Sequence, residues 1–212
     1  KVAKLDIDLR RESSESLFGN LLTDAYRDYV DADVAFEQTN LTSGVLYTGW
    51  LSTADIFNSL SAIWNYKTDL AWTLKTIKMK GDTLTWVMNL IMSLSSYLPG
   101  GLVNVSGVYA IYDPTVLKDM SFPGDFKKAS ENKPLKYLEV RGKPVDPKKE
   151  YLLAVPQGIF ESIHFIEVFL GNKIEYTDYR DTGVEDWKIL LQYLVKNGPI
   201  SGSNIARGKR IV

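Results

Sequence analysis

Cysteine is absent from the 212 residues, which removes thiolate metal ligands, thiol nucleophiles and disulfides together and leaves the redox compartment open. Histidine is nearly absent as well, His164 being the single one. A two-metal hydrolytic centre needs several histidine and aspartate ligands converging on its ions, so this chain has little to build one from, and a structural role is the ordinary reading of a lone imidazole. No apolar stretch reaches the ~20 residues that a membrane-spanning helix requires, so no span is expected. Neither charge dominates, with 25 basic against 26 acidic residues and a net charge of -1. The basic residues are scattered, which argues against nucleic acid as a partner. Fixed-period repeats and low-complexity tracts are also missing.

What is present is the composition of an ordinary folded protein, 45% hydrophobic and 24% charged. A chain of this length buries roughly 70% of the surface its unfolded form exposes and needs neither disulfide nor metal to sustain a core. One domain over residues 1–212 is the default expectation, with two tightly fused subdomains as the alternative.

Val2 to Leu9 alternates apolar and polar, so the chain enters directly on a strand, as a processed or truncated piece would, and a partner domain is expected ahead of Lys1. Glu15 to Tyr26 opens with cap-type residues and sets Leu17, Leu21, Leu22 and Ala25 on one helical face. Ala32 to Glu37 reads as a strand running into the loop 38–44, a common place for ligand groups. Ser52 to Leu60 reads as a helix, Leu74 to Met79 as a strand, Lys80-Gly81-Asp82 as a turn, and Thr83 to about Leu98 as a helix ended by Pro99-Gly100-Gly101. Strands are expected around 103–112, a surface loop from Asp119 to Pro134, and a hairpin joining Leu138–Arg141 to Tyr151–Val155 across Gly142 to Pro147. Glu185 to Val195 reads as a last amphipathic helix stopped by Gly198-Pro199.

Four of these segments, in this order, resemble the C-terminal domain of the 5′-nucleotidase and UDP-sugar hydrolase family. They are Glu15-Ser16-Leu17-Phe18-Gly19-Asn20-Leu21-Leu22-Thr23-Asp24-Ala25, then Asn104-Val105-Ser106-Gly107 with Tyr112-Asp113, then Val140-Arg141-Gly142-Lys143-Pro144-Val145-Asp146-Pro147-Lys148-Lys149-Glu150-Tyr151, and finally Asp181-Thr182-Gly183 with Gly198-Pro199-Ile200. The third is the most specific. The resemblance implies an α/β (α+β) fold of layered helices and two packed mixed sheets. It implies a substrate-binding role, beside an N-terminal metallophosphoesterase domain that holds two divalent metals. No cofactor is expected in this chain itself. Export to the periplasm, the cell surface or the exterior follows from family habit alone.

The family contacts its nucleotide through an arginine before the first helix, an Asn-Gly-Gly-Gly-Ile-Arg loop, a Pro-Phe-Gly-Asn segment and a Gly-Gly-Asp-Gly-Phe/Tyr segment, and each is altered here. Arg10 and Arg11 stand a few residues upstream of the expected arginine, with a solvent-facing pair as the competing reading. The loop keeps Asn40 and Gly44 but has Leu46 near the arginine's place, so a guanidinium fork onto an oxyanion is lost. Trp64-Asn65 stands for the third segment. Trp64 offers a flat face on which a base would stack for about 1 to 3 kcal/mol, against a plain core tryptophan. Phe160 or Phe165 is the candidate second ring, with a core role as its rival. Arg207-Gly208-Lys209-Arg210 reads as a solvated tail rather than an anion site. Asn40 and Asn104 match the glycosylation sequon, a pattern that also arises by chance.

The functional expectation is therefore substrate recognition for a phosphoesterase acting on nucleotide phosphate esters, with a nucleotide or nucleoside-like small molecule and the metallophosphoesterase domain as partners. The rival is a degenerate, non-catalytic binding or structural module. An independent enzyme has no supporting constellation, neither a nucleophile elbow nor a phosphate-cradling glycine loop.

Overall fold

The computed structural model describes residues 1–10, 15–38, 44–60, 64–95, 103–117, 126–171, 173–203, 205 and 210–212. Strand β1 (Ala3–Leu5) leads towards helix α1 (Leu17–Val30), whose first turn is capped by Ser16 Oγ accepting Gly19 N–H at 3.0 Å. Gly19 is glycine because the Asn104 side chain lies against it. A Cβ there would fall 2.0 Å from Asn104 Cγ, and Asn104 is held in place by accepting Ser16 N–H at 2.9 Å. Gly19→Ala is therefore expected to cost about 1–3 kcal/mol, read as a lower urea midpoint at unchanged slope.

The chain continues through β2 (Val34–Gln38), β3 (Gly49–Leu51), α2 (Thr53–Leu60), β4 (Trp64–Asn65), β5 (Leu70–Ala71), β6 (Thr73–Lys80), α3 (Gly81–Ser95), β7 (Val103–Ser106) and β8 (Val108–Tyr112). After a short 3₁₀ turn come α4 (Phe126–Glu131), β9 (Leu135–Val140), β10 (Lys143–Pro144), β11 (Glu150–Pro156), α5 (Gln157–Leu170), β12 (Thr177–Glu185) and α6 (Asp186–Asn197). A five-stranded mixed sheet has the order β12-β6-β11-β2-β7, with β11 and β2 parallel and the other pairs antiparallel. A three-stranded antiparallel sheet has the order β10-β9-β8.

Strand periodicity divides the large sheet into two apolar faces. Ala35, Leu74 and Ala154 face a cluster with α1, α2 and α6, through Leu22, Ile56 and Leu190. Phe36, Ile77, Leu153 and Val155 face the other cluster, with Met88 of α3 and with Ala110 and Leu138 of the small sheet. The layered α/β (α+β) arrangement of helices over two packed sheets is thus the observed one, the smaller sheet being antiparallel throughout.

Four expectations are corrected. Leu138–Arg141 and Tyr151–Val155 do not form a hairpin. Arg141 (φ 49°) and Gly142 (φ 73°) are consecutive left-handed residues that turn β9 straight back into β10, while β11 inserts between β6 and β2 of the other sheet. Gly81 is no turn, since β6 runs directly into α3 there. Within the expected surface loop, Phe126–Glu131 is helical, and 118–125 lie outside the described residues. The C-terminal basic cluster is not simply a solvated tail: the Arg210 side chain is 10% exposed, its guanidinium donates to Thr23 Oγ1 at 3.2 Å and to Val105 O, and it pairs with Asp24 at 2.9 Å. Residues 206–209 lie outside the described set. Asn104 is fully buried, so its sequon offers no acceptor in the folded chain.

Candidate functional site

Strand directions gather one edge of the large sheet. The C-terminal ends of the parallel strands β2 and β11 lie beside the first residues of β6 and β7, as the register pairs Pro156 with Leu74 and Gln38 with Val103. The end of β12 joins them, Glu185 standing opposite Thr73. Ligands of open α/β sheets bind outside the carboxyl ends of their parallel strands, and this edge is that place. Two helices spring directly from it, α5 after Pro156 and α6 after Glu185.

On the face turned towards α5, a buried lysine anchors the edge. Lys75, 7% exposed in its side chain, donates to Thr73 Oγ1 at 2.6 Å and pairs with Asp181. Thr73 Oγ1 donates on to Asp181 Oδ1 at 3.0 Å, and Gly183 N–H donates to the same oxygen at 2.9 Å. Partial burial acts to raise the Asp181 carboxyl, but the bonds from Lys75, Gly183 and Thr73 outweigh it and hold it below its usual range. Trp72, just before β6, lays its indole across the first turn of α5. A Cβ on Gly158 would lie 1.8 Å from Trp72 Cη2, so glycine is required for that approach.

The aromatic candidates divide between two clusters. Phe160 stacks on Tyr179 at 4.6 Å with 29° between planes and meets Tyr176 edge-on at 5.6 Å. Tyr179 is two residues from Asp181, on the same side of β12, and is 47% exposed. Phe165, 57% exposed, instead packs against Phe169 at 4.6 Å. Asn65 sits in the β4–β5 hairpin, where its Oδ1 accepts Lys67 N–H at 3.0 Å, and Glu185 ties that hairpin to α6 by accepting Ala71 N–H at 3.0 Å. Arg10 is exposed, paired with Asp8 at 2.9 Å and lying 5.7 Å over the Tyr47 ring. Asn40, Arg11 and the side chain of Trp64 lie outside the described residues.

On the opposite face Tyr26, Glu37 and Asp186 are buried together. Burial pushes the Glu37 carboxyl up to about 8, against the opposing N–H of Gln38 at 2.9 Å. Burial and then the Glu37 charge push Asp186 well above the usual carboxylate range, with Lys75 pulling the other way. The Tyr26 hydroxyl, also raised by burial, is close enough to feel both carboxyls but meets no partner at full hydrogen-bond geometry among the described residues.

The described residues do not fit a two-metal centre: no group of three or more histidine, aspartate or glutamate side chains converges among them. His164 is exposed on α5, 3.7 Å from Glu167. The edge sets flat rings beside an ion-paired lysine and carboxylate.

The sequence profile described as "5′-nucleotidase, C-terminal domain" matches residues 1–169. The chain belongs to that family. Among solved structures, a 5′-nucleotidase precursor from Thermus thermophilus superposes over 99% of this chain with a TM-score of 0.74 at 18% identity. The NAD nucleotidase of Haemophilus influenzae does so over 99% with a TM-score of 0.73 at 15% identity. A sulfate thiohydrolase from Thermus thermophilus covers 99% with a TM-score of 0.66 at 16% identity. This chain spans 38%, 37% and 34% of those three chains. At such identities the likeness shows the fold, and the names of its bearers show one C-terminal-domain fold in proteins of different activity. Comparison with curated proteins gives no match.

Sequence reasoning passed over Trp72, Lys75 and Tyr179. For Lys75 a signal was available, since a charged residue stands on the strand face that also carries Ile77 and Met79. For Tyr179 there was none, because the exposed edge strand β12 has no alternation to read.

Proposed function

We propose that this chain is the substrate-recognition domain of a 5′-nucleotidase-like phosphoesterase, binding a nucleotide or nucleoside while an N-terminal metallophosphoesterase domain holds two divalent metals and performs the hydrolysis. Family membership across residues 1–169 carries this reading. It is supported by the position of the end of β2 at Gln38, the β4–β5 hairpin and the helix bearing Phe160 at or beside one sheet edge. Phe160 is covered by Tyr179, so the free outer face of Tyr179 is the better platform for a base. Work at the periplasm, cell surface or exterior accords with family habit.

Titration with adenosine and AMP tests this. A saturable change in tryptophan fluorescence is expected, and Tyr179→Ala should weaken it by about 1–3 kcal/mol, roughly 5- to 150-fold. An absent response at millimolar ligand would end this reading. It would favour the alternative of a degenerate binding or structural module, for which the occupation of the Gly158 approach by Trp72 speaks.

A further inference from the structure

Helix α5 carries a narrow polar stripe, Gln157, Glu161 and His164, and is largely apolar elsewhere. Ile159, Phe160, Ile163 and Ile166 pack against the core beneath, while Phe165, Val168 and Phe169 are 57%, 67% and 45% exposed. None of the helix's 14 residues is fully buried. Between α5, α3 and the large sheet is a partly open cavity of about 270 Å³, walled by Ile77, Leu153 and Val155 of the sheet, Leu90 of α3, and Ile163 and Ile166 of α5. The polar residues in its described lining are Gln38, at the end of β2, and Ser162, whose hydroxyl is turned back onto Ile159 O at 2.7 Å. No charged side chain is among the described lining residues.

Magnitudes decide what such a space is for. An apolar cavity of about 150 Å³ stays dry and takes up benzene. A water cluster would find few polar partners in this one. We propose that the cavity is a binding site for a small uncharged apolar ligand, one aromatic ring with short alkyl groups or an aliphatic chain of roughly eight carbons. Charged ligands are excluded by the cost of burying an unpaired charge, so a nucleotide is not its occupant, and the site stands apart from the nucleotide reading. Helix α5, anchored by no fully buried side chain, is the element that yields to admit the ligand.

The probes are p-xylene and octan-1-ol, followed by ¹³C-methyl NMR of the chain. Saturable shifts are expected at the methyls of Ile77, Leu90, Leu153, Val155 and Ile163, with a concentration-dependent rise in Tm. Val155→Phe, which fills the space, should weaken binding at least tenfold while keeping the circular dichroism of the parent, and Leu90→Phe serves where Val155→Phe fails to fold. Val168→Ser, on the outer face, should leave binding unchanged. Overturning results would be no saturable shift, a shift confined to the outward-facing methyls of Val168, or undiminished binding by a folded cavity-filling variant.

Discussion

Replacing Glu37 by glutamine is expected to flatten the pH dependence of stability and to leave the variant more stable than the parent above pH 8. Glu37 is 2% exposed, and burial raises its carboxyl from an ordinary 4.5 to about 8. Between those values the folded chain holds a proton that the unfolded chain has released. Stability therefore falls as pH rises, at up to about 1.4 kcal/mol per pH unit, and levels off once the folded carboxyl has ionised. Asp186 is raised by the same burial and slopes the same way, which steepens the parent's decline. Glutamine matches glutamate in shape, still accepts Gln38 N–H, and cannot ionise. Urea midpoints at pH 5, 6, 7, 8 and 9 should converge for parent and variant at the acid end and differ by a few kcal/mol at the alkaline end. Parallel profiles would show that Glu37 is not held protonated by its surroundings.

The second large effect lies at the other end of the chain. Arg210→Met should cost about 3–5 kcal/mol, because it strips the partner from a largely buried Asp24 and leaves Val105 O short of a donor. For a protein of this size that lowers Tm by roughly 10 °C. Adding Asp24→Asn to Arg210→Met should recover part of the loss, since removing both members of a buried pair costs less than orphaning one. A loss under about 1 kcal/mol for the single variant would mean that the C-terminal residues are not pinned by this pair.

Much of the fold could be read from residue order, and the exceptions have physical causes. The segment from Ser16 to Asp33 carries its own cap, its amphipathic stripe and its left-handed stop at Asp31, so α1 and β2 were legible. β11 was seen as a strand but paired wrongly. Leu152 to Val155 is an unbroken apolar run, as suits a strand covered on both faces, and that favoured a central place in the large sheet over an edge hairpin. Arg210 looks like tail charge in sequence, and only the approach of Asp24, Thr23 and Val105 makes it structural. At the candidate site, Phe160 and Phe165 were equivalent in sequence because both stand among apolar neighbours. The structure separates them, Phe160 with Tyr176 and Tyr179, Phe165 with Phe169. Helix α5 itself was missed because its polar stripe of Gln157, Glu161 and His164 is flanked by the exposed Phe165, Val168 and Phe169, which blurs the helical period.

The central claim is that this domain recognises a phosphate ester whose cleavage is done by residues elsewhere. The direct measurement is orthophosphate release from AMP by purified residues 1–212 with magnesium or manganese, run beside calorimetric titration of the same sample. Saturable heat with no orthophosphate above the buffer rate is the expected result. Orthophosphate release that follows the folded chain through purification and disappears on its thermal unfolding would contradict it.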